Sequence, residues 1–319
     1  MKTITVEDFH RAKKEILSLE LVNEGCDLNR PITSPTISNP GLVLAGYRDR
    51  FSTGRLQVLG QTEIEYIESL GADERRSALD AFLRLPMPAV IVTKGQTPHA
   101  ELVVQAREHG VPLFLSKLKT GEFYSRLQPY LEEQFAPATT MHGSLADVYG
   151  VGLLFIGRSG IGKSECVLDL VERGHRLVAD DVVLVSRRGN DILIGRGHEL
   201  QRHHMEIRGI GIIDIRTLFG IRAIRQQKRI EVVVQLVDWD ERATYERTGI
   251  DTEEVPILGV RIPKVIIPLN AGKNITVISE VIAMNHLLKY SGVHSARRFN
   301  ESLMDAMRPI RQYLEGDYE

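Results

Sequence analysis

The chain has 319 residues, too many for one average domain and enough for two that each bury a core. An apolar share of 43%, a charged share of 26% and a net charge of −2 are those of an ordinary globular protein, and they exclude the global basic field that holds nucleic acid. Cys26 and Cys166 are the only cysteines and form no CxxC pair, which excludes a disulfide framework and a cysteine zinc site. No apolar run approaches the ~20 residues of a membrane span, and residues 1–16 lack a signal-peptide core, so a soluble cytoplasmic protein without membrane contact is expected.

Residues 1–134 read as a small N-terminal α/β domain with an assembly or regulatory role. The runs 56–60 (LQVLG) and 89–93 (AVIVT) predict strands. Between them, 63–85 carries helical periodicity interrupted near Gly71 and stopped by Pro86 and Pro88. Residues 101–108 predict a second helix, 113–115 a strand, and 118–134 a helix leading out of the domain. Such alternation argues for a parallel or mixed sheet with helices on its faces. Lys94, Lys117 and Lys119 read as solvated surface charge, and Ser38-Asn39-Pro40-Gly41 as a turn. Residues 135–140 (FAPATT) break the pattern and read as a linker.

Residues 135–319 read as the second domain, and its most informative stretch is Gly157-Arg158-Ser159-Gly160-Ile161-Gly162-Lys163-Ser164. Two glycines with four residues between them, followed by Lys and Ser, fit a phosphate-binding loop. Glycine lets backbone N–H groups turn inward around phosphate oxygens without a Cβ in the way. Lys163 is placed to reach the β- and γ-phosphates, and the Ser164 hydroxyl to hold Mg²⁺. The apolar run 151–156 predicts a buried strand before the loop, and 165–173 a helix after it that stops at Gly174. Further on, 176–185 predicts a strand carrying Asp180 and Asp181. The runs 230–237 and 264–269 predict buried strands, and 276–290 an amphipathic helix stopped by Gly292.

Phosphoryl transfer needs charge neutralisation, an aligned nucleophile and a base. Lys163, Ser164 and Mg²⁺ supply the first, and the aspartate pair is the natural candidate for the rest. Adjacent strand residues point to opposite faces, so one Asp can serve the metal shell while the other meets an incoming hydroxyl. Glu206 reads equally as a metal ligand or as half of a surface pair with an arginine. His142, before Gly143, reads as an acid, a base, a phosphate contact or a structural histidine. His203 and His204 diverge on one element and read as surface residues, and Arg247 reads as a phosphate clamp or an ordinary exposed arginine.

Several ordered segments together resemble the HPr kinase/phosphorylase family, bacterial enzymes acting on the phosphocarrier protein HPr. They are Met141-His142-Gly143, Val148-Tyr149-Gly150-Val151-Gly152, the phosphate loop through Glu165, and the run 173–181 (RGHRLVADD). The signature stretch Met205-Glu206-Ile207-Arg208-Gly209-Ile210-Gly211-Ile212-Ile213-Asp214 matches closely, as do 245–249 (YERTG) and 280–285 (EVIAMN). Weaker likeness runs through residues 1–136, so the resemblance spans nearly the whole chain. It implies a P-loop kinase domain with a nucleotide core like that of phosphoenolpyruvate carboxykinase, assembled as a homohexamer.

The resemblance further implies ATP-dependent phosphorylation of a serine of HPr. It also implies the reverse attack of inorganic phosphate on that phosphoserine to give pyrophosphate, a pair of reactions controlling carbon metabolism and the phosphotransferase system. On that basis His142 and Lys163 contact the reacting phosphate, and Ser164 and Glu206 serve the Mg²⁺ site. One of Asp180 and Asp181, with Asp181 favoured, is base in one direction and acid in the other. Arg247 and the loop Pro268-Leu269-Asn270-Ala271-Gly272-Lys273 serve dephosphorylation.

The chain departs from the family at three positions. Asn270 stands where a basic residue is usual, Lys273 where Arg is usual, and Asn39 where Arg usually precedes Pro-Gly. Asn cannot neutralise phosphate and Lys cannot make the bidentate contact, so a kinase with weakened phosphorolysis is the alternative expectation. A nucleotide-gated regulator and a small-molecule kinase share the phosphate loop. The aspartate pair argues against the first, since a pure switch needs no base, and the identity of the phosphate acceptor separates the second.

Overall fold

The computed structural model describes residues 2–242, 253–270 and 272–315, with side chains described to residue 307. Its internal contacts divide the chain into two units, Met1–Ala136 and Pro137–Glu319. Among the described residues no helix is long and apolar enough to cross a membrane.

In the first unit, β1 (Ile4–Thr5) leads into α1 (Val6–Lys13), followed by β2 (Leu19–Leu21), β3 (Pro31–Ile32) and α2 (Gly41–Leu44). The start of α1 is closed reciprocally: Thr5 Oγ1 accepts from the Asp8 N–H, and the Asp8 carboxylate accepts from the Thr5 N–H. The rest runs β4 (Gln57–Leu59), α3 (Gln61–Ser69), α4 (Ala72–Leu83), β5 (Val90–Val92), α5 (Ala100–Glu108), β6 (Leu113–Ser116) and α6 (Thr120–Phe135). The sheet order is β2-β6-β5-β4, with β4, β5 and β6 parallel and β2 antiparallel on one edge. Helices cover both faces, which is why Val90, Ile91 and Val92 are all buried. Val90 and Val92 pack with Leu59 on one side, and Ile91 packs with Val58 and Phe114 on the other. The helical run 63–85 is two helices, α3 and α4, parted at Leu70 and Gly71.

The second unit begins β7 (Ala138–His142), β8 (Ser144–Val148), β9 (Val151–Ile156), α7 (Lys163–Glu172), β10 (Arg176–Ala179), β11 (Val182–Arg188) and β12 (Ile192–Gly197). It continues through β13 (His204–Ile207), β14 (Gly211–Asp214), α8 (Ile215–Phe219), β15 (Gln227–Arg229), β16 (Val232–Asp238), β17 (Glu253–Ile257), β18 (Val260–Leu269), α9 (Ile275–Tyr290) and α10 (Ser295–Glu315). A six-stranded sheet has the order β10-β8-β9-β16-β18-β17, with β9, β16 and β18 parallel. A four-stranded antiparallel sheet, β15-β12-β11-β7, and the hairpin β13–β14 are the other sheets among the described residues of this unit. Leu153 and Phe155 of β9 pack with Val167, Leu170 and Val171 of α7, while Leu154 faces Val183 and Val185 of β11.

Three sequence expectations are corrected. Pro268 and Leu269, expected in the loop 268–273, are instead the end of β18, paired with Val237 and Asp238 of β16. The stretch 135–140 is not wholly a linker, because β7 starts at Ala138 and Thr140 pairs with Leu184 of β11. Nor is 176–185 one strand: it breaks at Asp180 and Asp181, so that β10 lies in the six-stranded sheet and β11 in the other. The break is set by Asp181, whose φ of 62° is left-handed, a conformation that short polar Asp tolerates better than most residues.

Phe155 is fully buried beside the loop that follows β9. Phe155→Ala is expected to cost about 3–5 kcal/mol of stability, visible as a lower urea midpoint for the transition of this unit. A midpoint unchanged from the parent would show that this packing does not hold the strand.

Candidate active site

The turn from β9 into α7 is shaped by close backbone approach. A Cβ at Gly157 would sit 2.6 Å from the Leu236 carbonyl oxygen, and φ there is 151°, so only glycine lets the chain leave β9 on this path. At Gly160, φ is 75° and a Cβ would meet the Arg208 guanidinium at 2.5 Å, which places that cation directly over the loop. Lys163 opens α7 with its ammonium folded back on the loop, donating to the carbonyls of Gly157 (3.1 Å) and Arg158 (3.0 Å). Burial pulls the Lys163 pKa down, and the nearby Asp180 and Asp181 carboxylates pull it back up.

The strand break sends the two aspartates to different tasks. Asp180 is buried, and its Oδ1 accepts from Ser144 Oγ at 2.6 Å and from Ser164 Oγ at 2.9 Å. Its Oδ2 is buried without a hydrogen-bond partner. Burial pushes the Asp180 carboxyl above its ordinary range against the lowering effect of the two serine hydroxyls. Asp181 is half exposed, and its Oδ1 lies 3.1 Å from His142 Nδ1. One cleft of about 120 Å³ gathers His142, Ser159, Gly160, Gly162, Lys163, Ser164, Glu165, Asp180, Asp181, Glu206 and Arg208.

The structure therefore brings His142, Lys163, Ser164, Asp180, Asp181 and Glu206 to one place. Ile161 is 8% exposed and packs into the core, so only its backbone is available to phosphate. Arg158 turns outward and makes a bidentate pair with Asp238 at the end of β16 (2.6 and 2.8 Å). Gly272 and Lys273 line a second cleft of about 880 Å³ that runs along α7 from Gly162 to Arg173, and Lys273 Nζ donates to the Pro268 carbonyl at 2.9 Å. Met205 and Ile207 of the signature stretch point into the core, while Glu206 and Arg208 alternate outward. Arg247 and Ala271 lie outside the described residues. Ser144 was missed, because a serine opening a strand 20 residues before Ser164 carries no spacing signal. From the sequence Arg208 reads as part of the signature stretch or as the surface partner of Glu206, not as a cation over the loop.

A glycine loop leaving a parallel strand, with Lys and Ser opening the next helix and a carboxylate seated behind that Ser, defines a P-loop phosphotransferase. Residues 4–131 match the family described as HPr Serine kinase N terminus, and residues 133–303 match HPr Serine kinase C-terminal domain. The HPr kinase/phosphorylase of Chloroherpeton thalassium is 44% identical over 331 residues, spanning 100% of this chain and 97% of its own length. That of Geobacter sulfurreducens is 44% identical over 315 residues, spanning 98% and 99%. A solved structure of the Hpr(Ser) kinase/phosphatase from Coxiella burnetii is 34% identical and covers 51% of this chain and 99% of that one, with a TM-score of 0.45. The chain belongs to the HPr kinase/phosphorylase family and is a serine kinase/phosphorylase.

The raised Asp180 pKa has a stability consequence of definite sign. Between that raised value and the ordinary 3.8, the folded chain takes up a proton that the unfolded chain does not, so the parent gains stability on acidification. Asp180→Asn lacks this proton. The variant is expected to melt higher than the metal-free parent at pH 7, with the gap closing as pH falls through that window. Melting curves at pH 7 and pH 4.5 check it; a parent more stable at pH 7 would mean that the serine hydrogen bonds outweigh burial.

Proposed function

We propose that this chain transfers the γ-phosphoryl group of ATP to a serine of HPr and runs the reverse phosphorolysis, with Asp181 as the proton-handling group. The observation that carries the reading is the division of labour at the strand break: Asp180 is buried on Ser164, and Asp181 stands half exposed beside His142 in the same cleft as Lys163.

In the forward direction the phosphates of ATP lie in the loop 157–162 against the start of α7, where backbone N–H groups and the helix dipole favour anions. Lys163 moves from its carbonyl partners to the β- and γ-oxygens, and Arg208, above Gly160, adds a second cation. The serine hydroxyl attacks the γ-phosphorus, the bond to the bridging oxygen of ADP breaks, and Asp181 takes the hydroxyl proton. His142, bonded to Asp181, orients that carboxylate and contacts the moving phosphoryl group. In reverse, an oxygen of inorganic phosphate attacks the phosphoserine, Asp181 returns the proton to the serine oxygen, and pyrophosphate leaves. Positioned cations stabilise the same charge distribution in either direction.

The residues suit Mg²⁺. The orphaned Asp180 Oδ2, the Ser164 hydroxyl and the Glu206 carboxylate are hard oxygen donors, and Mg²⁺ usually takes one or two protein oxygens and completes its shell with phosphates and water. When bound, it neutralises the β- and γ-phosphate charge. Association as a homohexamer, with the first unit as an assembly or regulatory platform, belongs to the same reading, and sedimentation of the purified chain measures it.

The deciding experiment incubates the chain with HPr, ATP and Mg²⁺, and separately with serine-phosphorylated HPr, inorganic phosphate and Mg²⁺. Phosphoserine in the first mixture and pyrophosphate in the second are expected; transfer in neither sinks the assignment. Asp181→Asn is expected to lower kcat about 10²–10⁴-fold in both directions while the Kd for ATP stays within about threefold. A loss of nucleotide binding instead would place Asp181 in the phosphate site rather than on the serine. Asn270→Arg restores a cation to the loop after β18 and is expected to raise phosphorolysis several-fold with the forward rate within about twofold. Equal changes in both directions would separate that loop from the reverse reaction.

A further inference from the structure

Three segments singled out in the sequence have no role in the chemistry above: 148–152 with Tyr149, 173–175 with Arg173 and His175, and 280–285 with Glu280. The fold brings them together. Glu280, in the second turn of α9, is 6% exposed. Its carboxylate accepts from Arg173 Nε at 2.8 Å and Nη2 at 2.7 Å, and lies 3.1 Å from His175 Nε2. The ring of His175 is also buried, with the Tyr149 ring edge-on to it at 4.6 Å. A planar Arg fork on a nearly buried carboxylate is a directional contact, and neither a Lys nor an amide reproduces it.

The cluster joins the two helices that flank the chemistry. Arg173 caps the end of α7, whose first residue is Lys163, and α9 starts two residues after the loop 268–273. The faces of the two helices are linked again by Thr276 Oγ1 to Asp169 Oδ2 at 3.2 Å and by Cys166 Sγ with Ser279 Oγ at 3.8 Å. From Glu280 back to Ile275 is five residues, about 7.5 Å of helix, so a shift of Glu280 displaces the end of the loop by a similar amount. Gly272 and Lys273 line the 880 Å³ cleft together with Gly162, Glu165 and Arg173.

We propose that Glu280, clamped by Arg173 and His175, is a positioning residue that holds Gly272 and Lys273 in register with the phosphate loop through α9 and α7. For activity this rests on the reading of residues 268–273 as the dephosphorylation loop. Glu280 touches no substrate. It acts by keeping Lys273 at a fixed distance from the start of α7, and phosphorolysis, which uses that loop, depends on the clamp more than phosphorylation does.

The test compares the full-length chain with Glu280→Gln, Arg173→Lys and Lys273→Ala, measuring both directions and amide hydrogen exchange over 268–276 and 157–164. For Glu280→Gln the expected result is a roughly tenfold loss of phosphorolysis kcat, a forward kcat within about twofold, and exchange over 268–276 several-fold faster with 157–164 unchanged. Adding Lys273→Ala to Glu280→Gln is expected to cost phosphorolysis little more than either change alone, since both act through one loop. Equal losses in both directions, or additive losses in the double variant, would overturn the proposal and leave Glu280 a stability residue. Should Glu280→Gln fail to fold, Arg173→Lys carries the same comparison. If the parent makes no pyrophosphate, the reverse reaction itself falls; exchange over 268–276 then decides the clamp, and unchanged exchange rejects it.

Discussion

The carboxylate of Asp180 takes hydrogen bonds from Ser144 at the start of β8 and from Ser164 in the first turn of α7, so one oxygen ties the strand break to the phosphate loop. Each bond to a charged acceptor is worth about 1.5–3 kcal/mol. Burial nevertheless wins, and the carboxyl titrates above its ordinary range. Lys163 suffers the opposite penalty nearby, its ammonium desolvated and held on loop carbonyls. A buried acid and a buried base thus face the same small cleft, where burial disfavours the charged form of each. Asp181, whose backbone carbonyl accepts from the Gly143 N–H, and His142, the residue before that glycine, escape this burial and meet solvent.

Sheet topology explains why the phosphate loop and the segment after β18 lie on one edge. β9, β16 and β18 are parallel, so the segments that follow them, the phosphate loop, the stretch from Trp239 and the residues after Leu269, all leave at the same end. Ligands of such sheets collect at the carboxyl ends of the strands. The Arg158–Asp238 pair links the phosphate loop to the end of β16, and the Trp239 N–H donates to the Leu269 carbonyl at the end of β18. The pair is largely exposed, so it orients more than it stabilises. In the Glu280 cluster the carboxylate and His175 are buried while Arg173 is half exposed, so that pair is more shielded from solvent than Arg158–Asp238.

Much of this was legible in the chain. Local patterns gave β9 residue for residue, placed the helix after it within two residues, and located β4, β5 and β6, because those strands are short, apolar and bounded by glycine or proline. The antiparallel sheet of β7, β11, β12 and β15 was less visible, since its strands carry polar residues on their open face. Treating 176–185 as one strand followed from its apolar flanks; a left-handed Asp181 has no signature in those flanks.

The sequence by itself determined the phosphate loop, its lysine and serine and the presence of an aspartate pair, since each depends on residue types at short, fixed spacing, and the family through the resemblance of many ordered segments. Only the tertiary structure decided which aspartate is buried and which meets solvent, that Ser144 supports the first, and that Arg208 lies over Gly160. It alone joined Arg173 and His175 to Glu280 across more than a hundred residues. Burial and long-range pairing are properties of the packed chain: which face of a strand is covered, and which helix lies against which, is settled by contacts that no local pattern encodes.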